Sequence, residues 1–505
     1  MTDFGRLVHA EWTKFRTVRG WVLGIAAAAV ATVSLGLFVA ANSVSSCSNG
    51  AVDIECPTPP LGPGGEPVRD KFFFVHQPLA ADGSITVRVT SMTGLITYPP
   101  PGHDEIVPGL VEWAKAGVIA KDGTAQGSKY VALMVTAEHG VRMQHDFVHD
   151  TAGKPGVVSA GAPRWLRLTR AGDTLTGEES ADGTSWTRVG TATLAGPVEL
   201  GLFVTSPSDL TVENRVGGGT ATARLAKATA TFDSVGLTGV APGGEWLRDD
   251  VGAEPGPDGG AHHPGGVTEA GGVLTITGNG DIAPLVGESG PGVQIVLIGL
   301  VIGLIVVFVV AALSVSGEFR RGLIGVTLLA SPGRRGVLAA KAVVLGAVTF
   351  VAGTAAAAVV IPVAWGVLRD NGFRGPGLSL PTLVRVCVET GLLVAGAALL
   401  TLGLGALLRR GLPAVGIAVA AVVVPYLAAI IGGLPAAASD WLLRVTPAAG
   451  FAIQQVSPAY GHVVASYTPV AGYYPLPGWA GLAVLAAYAA LALGLASARL
   501  RKSDV

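Results

Sequence analysis

Charge is what this chain has little of. Only 14% of its 505 residues are Asp, Glu, Lys or Arg, and half are hydrophobic, giving a mean hydropathy of +0.54. A water-soluble domain carries about a quarter charged residues, so part of this chain belongs in lipid. The net charge is −1 at pH 7, which argues against nucleic acid, whose phosphates demand a basic partner. Cysteine is scarce as well, with three residues. Also missing is the G-x-x-x-x-G-K-[ST] phosphate cradle of ATPases, since GTAQGSK from Gly123 lacks the spacing. The chain is therefore expected to be no enzyme by itself and to hold no cofactor.

Long apolar runs are plentiful. Six of them approach the roughly 20 residues that a membrane-crossing helix needs: Trp21–Asn42, Val293–Val315, Ala342–Trp365, Val388–Leu408, Ala414–Gly433 and Trp479–Ala498. The first is too long and alanine-rich for a signal peptide and is expected to remain in the mature protein. With the N-terminus inside, the inner segments hold fourteen Lys and Arg and the short outer loops hold four. Short-loop basic residues set orientation, so both termini are expected in the cytoplasm of a multi-pass cell-membrane protein.

Residues 43–292 then lie outside the membrane and are long enough for their own core. SITVRVTSM alternates with period two, setting Ile85, Val87 and Val89 on one face, and YVALMVTAE is another such strand. Turn signals recur at Asp82-Gly83, Asp122-Gly123 and Asp182-Gly183. The expectation is an α-helical polytopic membrane protein of six transmembrane helices. A large all-β antiparallel sandwich is inserted between helices 1 and 2. Cys47 and Cys56, just outside the first span, are expected to form a disulfide in that oxidising setting. Cys387 starts the fourth span as a small apolar residue.

Metal and hydrolase chemistry have weak footholds. Even spacing of His139, His145 and His149 would align them on one face of a continuous strand, together with Val141, Met143 and Phe147. No acidic or cysteine ligand joins that face, and His262-His263 sit in a glycine-rich loop. Asp104, Glu105, Glu178 and Glu179 read as solvated surface charge, since spacing alone does not make a glycosidase pair.

Two resemblances sharpen this frame. WLRLTRAGDTLTGEESADGTSW, with VEWAKAGVIAKDG and VELGLFVTS, resembles concanavalin A-like sandwiches of the beta-xylosidase C-terminal type. GEWLRDDVG and GGVLTITGNGDIAP resemble strands that open such domains, yet here they come last. That leaves open a circular permutation or a partial second unit. The resemblance implies a glycan as a ligand of the outer domain and leaves open a purely structural role.

AEWTKFRTVRG near the N-terminus and GEFRRGLIGVTLLASPGRRGVLAAK after the second span resemble type-2 ABC transporter permeases of the six-span bacterial exporter kind. TPAAGFAIQQ, from Thr446 to Gln455, fits the segment before their last span. Residues 1–20 then form a cytoplasmic interfacial elbow helix, with 21–42 as the first transmembrane helix and 293–505 holding helices 2–6. In the elbow, Phe4, Leu7, Val8, Trp12, Phe15 and Val18 make one stripe. Glu11 falls on that stripe, where it needs a cation: Lys14 one turn on, or an arginine from 316–341.

The resemblance makes 316–341 a cytoplasmic coupling segment that docks on a separate ABC ATPase subunit, which uses the ATP. Glu318, Arg320 and Arg321 are expected to begin a short exposed helix, with Arg334 and Arg335 preceding the next span. The chain would work as a homodimer or a paired permease in the lipid bilayer. Drug, peptide, lipid and glycan remain open as substrates. Within the spans, Glu389 pairs with Arg385 at spacing i, i+4 or serves translocation, and Pro425 and Tyr426 suggest a kink with a polar handle in a cavity. A membrane-anchored carbohydrate-binding or sensory protein is the alternative function.

Overall fold

The computed structural model describes residues 3–49, 52–96, 106–215, 218–240, 244–253, 264–286, 292–320, 334–375, 377–431 and 434–502. Six described helices are long and apolar enough to cross a membrane. A fifteen-residue helix, α1 (Asp3–Thr17), precedes them. We label the six α2 (Arg19–Asn42), α3 (Leu300–Arg320), α4 (Arg334–Asp370), α5 (Leu380–Leu408), α6 (Gly411–Ile430) and α7 (Gly478–Lys502). Leu, Val and Ala dominate them, so each backbone satisfies its own hydrogen bonds while its apolar side chains meet lipid or neighbouring helices.

The α5 helix is central and packs against α3, α4 and α7, while α2 packs on α3 and α4. Close crossing of α2 and the α3 region depends on small residues. A Cβ on Gly299 would lie 2.3 Å from the Thr32 carbonyl oxygen, and one on Gly303 would lie 2.4 Å from the Thr32 hydroxyl. Only glycine lets these backbones approach so nearly.

Several boundaries differ from the apolar runs. Glu318 and Arg320 do not begin a separate helix but complete the last turn of α3. Residues 321–333, which include Arg321, lie outside the described residues. Helix α4 has 37 residues, about 55 Å at 1.5 Å per residue, against about 30 Å of hydrocarbon. It therefore projects beyond the bilayer core. In α6 a π-turn at Val419–Val423 precedes Pro425, where a missing N–H frees a carbonyl one turn back.

The strands run between Cys47 and Pro284 and are antiparallel. One sheet of seven orders His149–Ala152, Val141–His145, Tyr130–Thr136, Lys115–Lys121, Val198–Thr205, Phe72–Leu79 and Leu247–Val251. The second orders Thr187–Thr193, Thr174–Ser180, Arg164–Ala171, Gly83–Ile96, Ala226–Thr238, Val273–Gly278 and Gly266–Ala270, and Val107–Pro108 also pairs with Gly83–Ile96. Ile85, Val87 and Val89 point between the sheets and pack with Val75, Val118 and Leu202, so period-two alternation builds a sandwich core.

The first sheet is covered on its other face too. Phe72, Phe74, Ile119, Tyr130, Phe147 and Phe203 form a second cluster there. Of the late segments, Leu247–Val251 sits at a sheet edge beside Phe72–Leu79, while Val273–Gly278 lies between Ala226–Thr238 and the edge strand Gly266–Ala270. Cys47 and Cys56 are disulfide-bonded, closing a short hairpin near the end of α2.

Candidate functional site

The helices carry a polar cluster at each end. At the first, Lys341 of α4 donates from Nζ to Glu11 Oε2 at 2.7 Å and to Glu318 Oε1 at 3.0 Å. Lys14 donates to Glu318 Oε1 and, at 3.4 Å, to Glu11 Oε1. Glu11, Glu318 and Lys341 are all buried. Two carboxylates and two ammonium groups sum to zero, which makes the burial tolerable, whereas any one alone would be costly. Burial by itself lowers the Lys14 ammonium, but the Glu318 and Glu11 carboxylates outweigh it and hold it above its ordinary value.

This cluster bears on two expectations. Glu11 does pair with Lys14, and its other cation among the described side chains is Lys341. Glu318 is not an exposed docking charge, since it is 6% exposed and turned toward α1 and α4. The α1 stripe is split by the same packing. Phe15 is buried against Trp21, while Phe4 and Trp12 are each 44% exposed. Arg320 ends α3, and Arg334 and Arg335 open α4, but their side chains lie outside the described residues, as does all of Arg321.

At the other end, a short 3₁₀ segment, Pro447–Gln454, is wholly buried beside α7 and α5. Tyr426 does not hang into a cavity. Its ring stacks on Phe451 at 3.7 Å, and its hydroxyl donates to Gln454 Oε1 at 3.0 Å. The Tyr474 hydroxyl donates to the same oxygen at 2.7 Å. Glu389 lies 3.2 Å from Arg385, which also donates to the Gln455 carbonyl at 3.0 Å.

Gln454 faces a cavity of about 700 Å³ between the helices and the sandwich. Its walls include Trp365 of α4, Gln294, Phe373, Tyr460, Tyr473 and Glu66 of the sandwich's entry segment. Burial first, then the nearby Glu66 carboxylate, raises the Tyr460 hydroxyl above its ordinary value.

The sandwich is latched to this end by buried contacts whose partners no local sequence signal names. Lys115 and Lys121 alternate with Ala116, Val118 and Ala120, so both ammonium groups fall on the covered outer face of the first sheet. Lys115 reaches Asp281 at 2.6 Å and Lys121 reaches Asp70 at 2.7 Å, all four side chains being buried. Asp70 lies where the chain enters the sandwich and Asp281 where it leaves, so the two pairs fasten both connections to one sheet. Burial lifts the Asp70 carboxyl and lowers the Lys121 ammonium. His462, from the loop before α7, completes the junction with Nε2 2.8 Å from the Phe147 carbonyl oxygen.

The histidine run does not share a strand face. His139 lies in a turn and stacks on Trp113, whereas His145 and His149 face each other across a hairpin at 4.3 Å. Phe147, in the intervening turn, points into the second cluster, while Val141 and Met143 point into the sandwich. No group of three metal-ligating side chains converges among the described residues, and His262-His263 lie outside them. Glu178 is paired with Arg167, and buried Glu179 accepts from the Lys154 amide at 2.5 Å; Asp104 and Glu105 fall outside the described residues. Trp165 and Trp186 are capped by the guanidinium groups of Arg88 and Arg167.

No family model and no curated protein matches the chain. Among solved structures, a scytalido-glutamic peptidase bound to a transition state analog inhibitor is 9% identical. It covers 43% of this chain and 100% of its own, with a TM-score of 0.26. A functionally unknown protein from Saccharomyces cerevisiae is 14% identical over 40% of this chain and 93% of its own, at 0.21. An alginate lyase from Klebsiella pneumoniae is 11% identical over 32% and 61%, at 0.18. Similarity this low carries no functional argument.

Proposed function

We propose that the chain is the membrane-spanning permease subunit of an ATP-binding cassette exporter, driven by a separate ATPase subunit. The reading is supported above all by the buried Glu11–Lys14–Glu318–Lys341 cluster. It ties α1, the end of α3 and the start of α4 into one body on either side of residues 321–333. A partner pressing on that segment would move the elbow and two spans together. An anchor needs one span, and nothing in anchoring asks for such a joint.

In this reading both termini are cytoplasmic, and residues 43–292 form an extracytoplasmic sandwich inserted between the first and second spans. Two copies, or one copy and a related permease, meet two ATPase subunits. The concanavalin A-like kinship of the sandwich belongs to the same proposal. A glycan-binding role is the weaker alternative, because a guanidinium lies over one face of each tryptophan, Arg167 at 4.0 Å from Trp186 and Arg88 at 5.7 Å from Trp165.

The test is isolation of the tagged chain from its native membranes in mild detergent. The proposal expects a P-loop ATPase in near-stoichiometric amount, with vanadate-sensitive ATP hydrolysis in the preparation. A chain that purifies with no ATPase, under conditions that preserve its own fold, contradicts the permease reading.

A further inference from the structure

The joint between α1 and α2 presents positive charge that the described side chains leave unpaired. Residues 16–20 are all exposed, a run that includes Arg16 and Arg19. Between residues 4 and 20 the single carboxylate is Glu11, which is buried and engaged by Lys14 and Lys341. No carboxylate among the described residues pairs with Arg16 or Arg19. Trp12 stands one turn before Arg16 on α1, at spacing i, i+4, and is 44% exposed.

An apolar stripe begins at the same place. In α2, Arg19, Leu23, Ala26 and Val30 recur at i, i+4, i+7 and i+11, so they share one face, and all four are exposed. The eleven residues from Arg19 to Val30 rise about 16 Å, half of the roughly 30 Å hydrocarbon core. With Arg19 at the membrane surface, Val30 therefore reaches the midplane. A phospholipid has the matching form, a charged headgroup above an acyl chain one leaflet long. A soluble anion would use the arginines and leave the stripe bare. A zwitterionic headgroup would bring its own cation toward two arginines, so an anionic lipid fits better.

We propose that Arg16, Arg19 and Trp12 bind the headgroup of an anionic phospholipid whose acyl chain lies along Leu23, Ala26 and Val30. The guanidinium groups donate to the phosphate, and the indole sits at headgroup level. The site asks only that α2 cross a bilayer, so it stands or falls separately from the permease reading.

The experiment uses the full chain in detergent micelles with equimolar phosphatidylglycerol and phosphatidylcholine of the same acyl chains. Native mass spectrometry counts the lipids retained. The expected result is one phosphatidylglycerol, held about tenfold or more over phosphatidylcholine. Arg16→Gln with Arg19→Gln should lower its retention about tenfold and leave phosphatidylcholine unchanged. Arg16→Gln alone and Arg19→Gln alone, each losing about threefold, carry the test should the double variant not fold. Arg16→Lys with Arg19→Lys keeps the charge and should keep most of the lipid. Arg410, exposed after α5 at the same end of the helices, is the control, and Arg410→Gln should change nothing. Excess glycerol 3-phosphate should not displace the lipid, because it lacks the chain. The proposal is overturned if both lipids are retained equally, or if the Gln variants hold phosphatidylglycerol in full. It is equally overturned if the Lys variant loses as much as the Gln variants, or if Arg410→Gln does, since the attraction is then not specific to this charged pair. Displacement by glycerol 3-phosphate would also overturn it, because the stripe would then be no part of the site.

Discussion

The Lys341 ammonium lies 2.7 Å from Glu11 Oε2, joining the N-terminal helix to the third span across 330 residues of chain. Removing Lys341 leaves Lys14 as the one cation that Glu11 and Glu318 share among the described side chains. Breaking a buried ion pair by deleting one partner costs about 3–5 kcal/mol. Lys341→Met should therefore lower the melting temperature in detergent sharply, followed by fluorescence-detected size exclusion after heating. Lys341→Arg, which keeps the charge, should lose far less. Equal melting of Lys341→Met and the parent protein would remove the cluster from the account.

The second prediction concerns the disulfide. Cys47 and Cys56 close a loop with a sequence separation of 9. Loop-closure entropy for a ring of about ten residues is worth roughly 2–3 kcal/mol. Non-reducing peptide mapping should recover the linked pair, and Cys47→Ser should destabilise the sandwich while leaving insertion intact. Full alkylation of both thiols without reductant is the contrary result.

His462 makes the junction with the sandwich sensitive to acid. Burial first, and then Lys115, holds its imidazole below the ordinary histidine value, although Asp150 and Asp281 partly offset this. The docked ring therefore resists a proton that a released ring accepts. The junction's stability is full above the ordinary value of about 6.5 and is lost as pH falls below it. The protection of residues 455–477 against hydrogen exchange, taken relative to the intrinsic rate at each pH, should be high near neutral pH and lower near pH ~5, below the ordinary histidine value. In His462→Gln most of that pH dependence should vanish. An unchanged profile in the variant would mean that other groups set it.

How much of this was legible follows from range. Apolar runs and period-two strands are local signals, so six membrane-length helices and Ile85, Val87 and Val89 in a sandwich core were readable from the chain alone. Partners were not. Glu11 announced its need for a cation by sitting on an apolar stripe, but nothing local says that Lys341 arrives from α4. Glu318 reads as a surface charge because the local sequence suggests a helix start there, whereas it belongs to the buried last turn of α3. Lys115 and Lys121 did leave a trace: in KAGVIAK they share a face with Ile119, an odd place for two exposed lysines. Gln454 left none, since its significance comes from two tyrosines 28 and 20 residues away.

The central claim is that residues around the end of α3 receive the push of an ATPase, and charge reversal there tests it most directly. Arg320→Glu with Arg321→Glu lowers the inner basic count from fourteen to twelve and leaves three inner segments untouched, so orientation should hold. Reversed charge opposes a complementary partner surface and slows its association. The measurement is co-purification of the ATPase with the double variant, normalised to the amount inserted in the membrane. The account predicts normal insertion and melting, with ATPase recovery down about tenfold or more. Normal insertion with full ATPase recovery and undiminished ATP-driven transport would contradict it, leaving those arginines to set orientation alone.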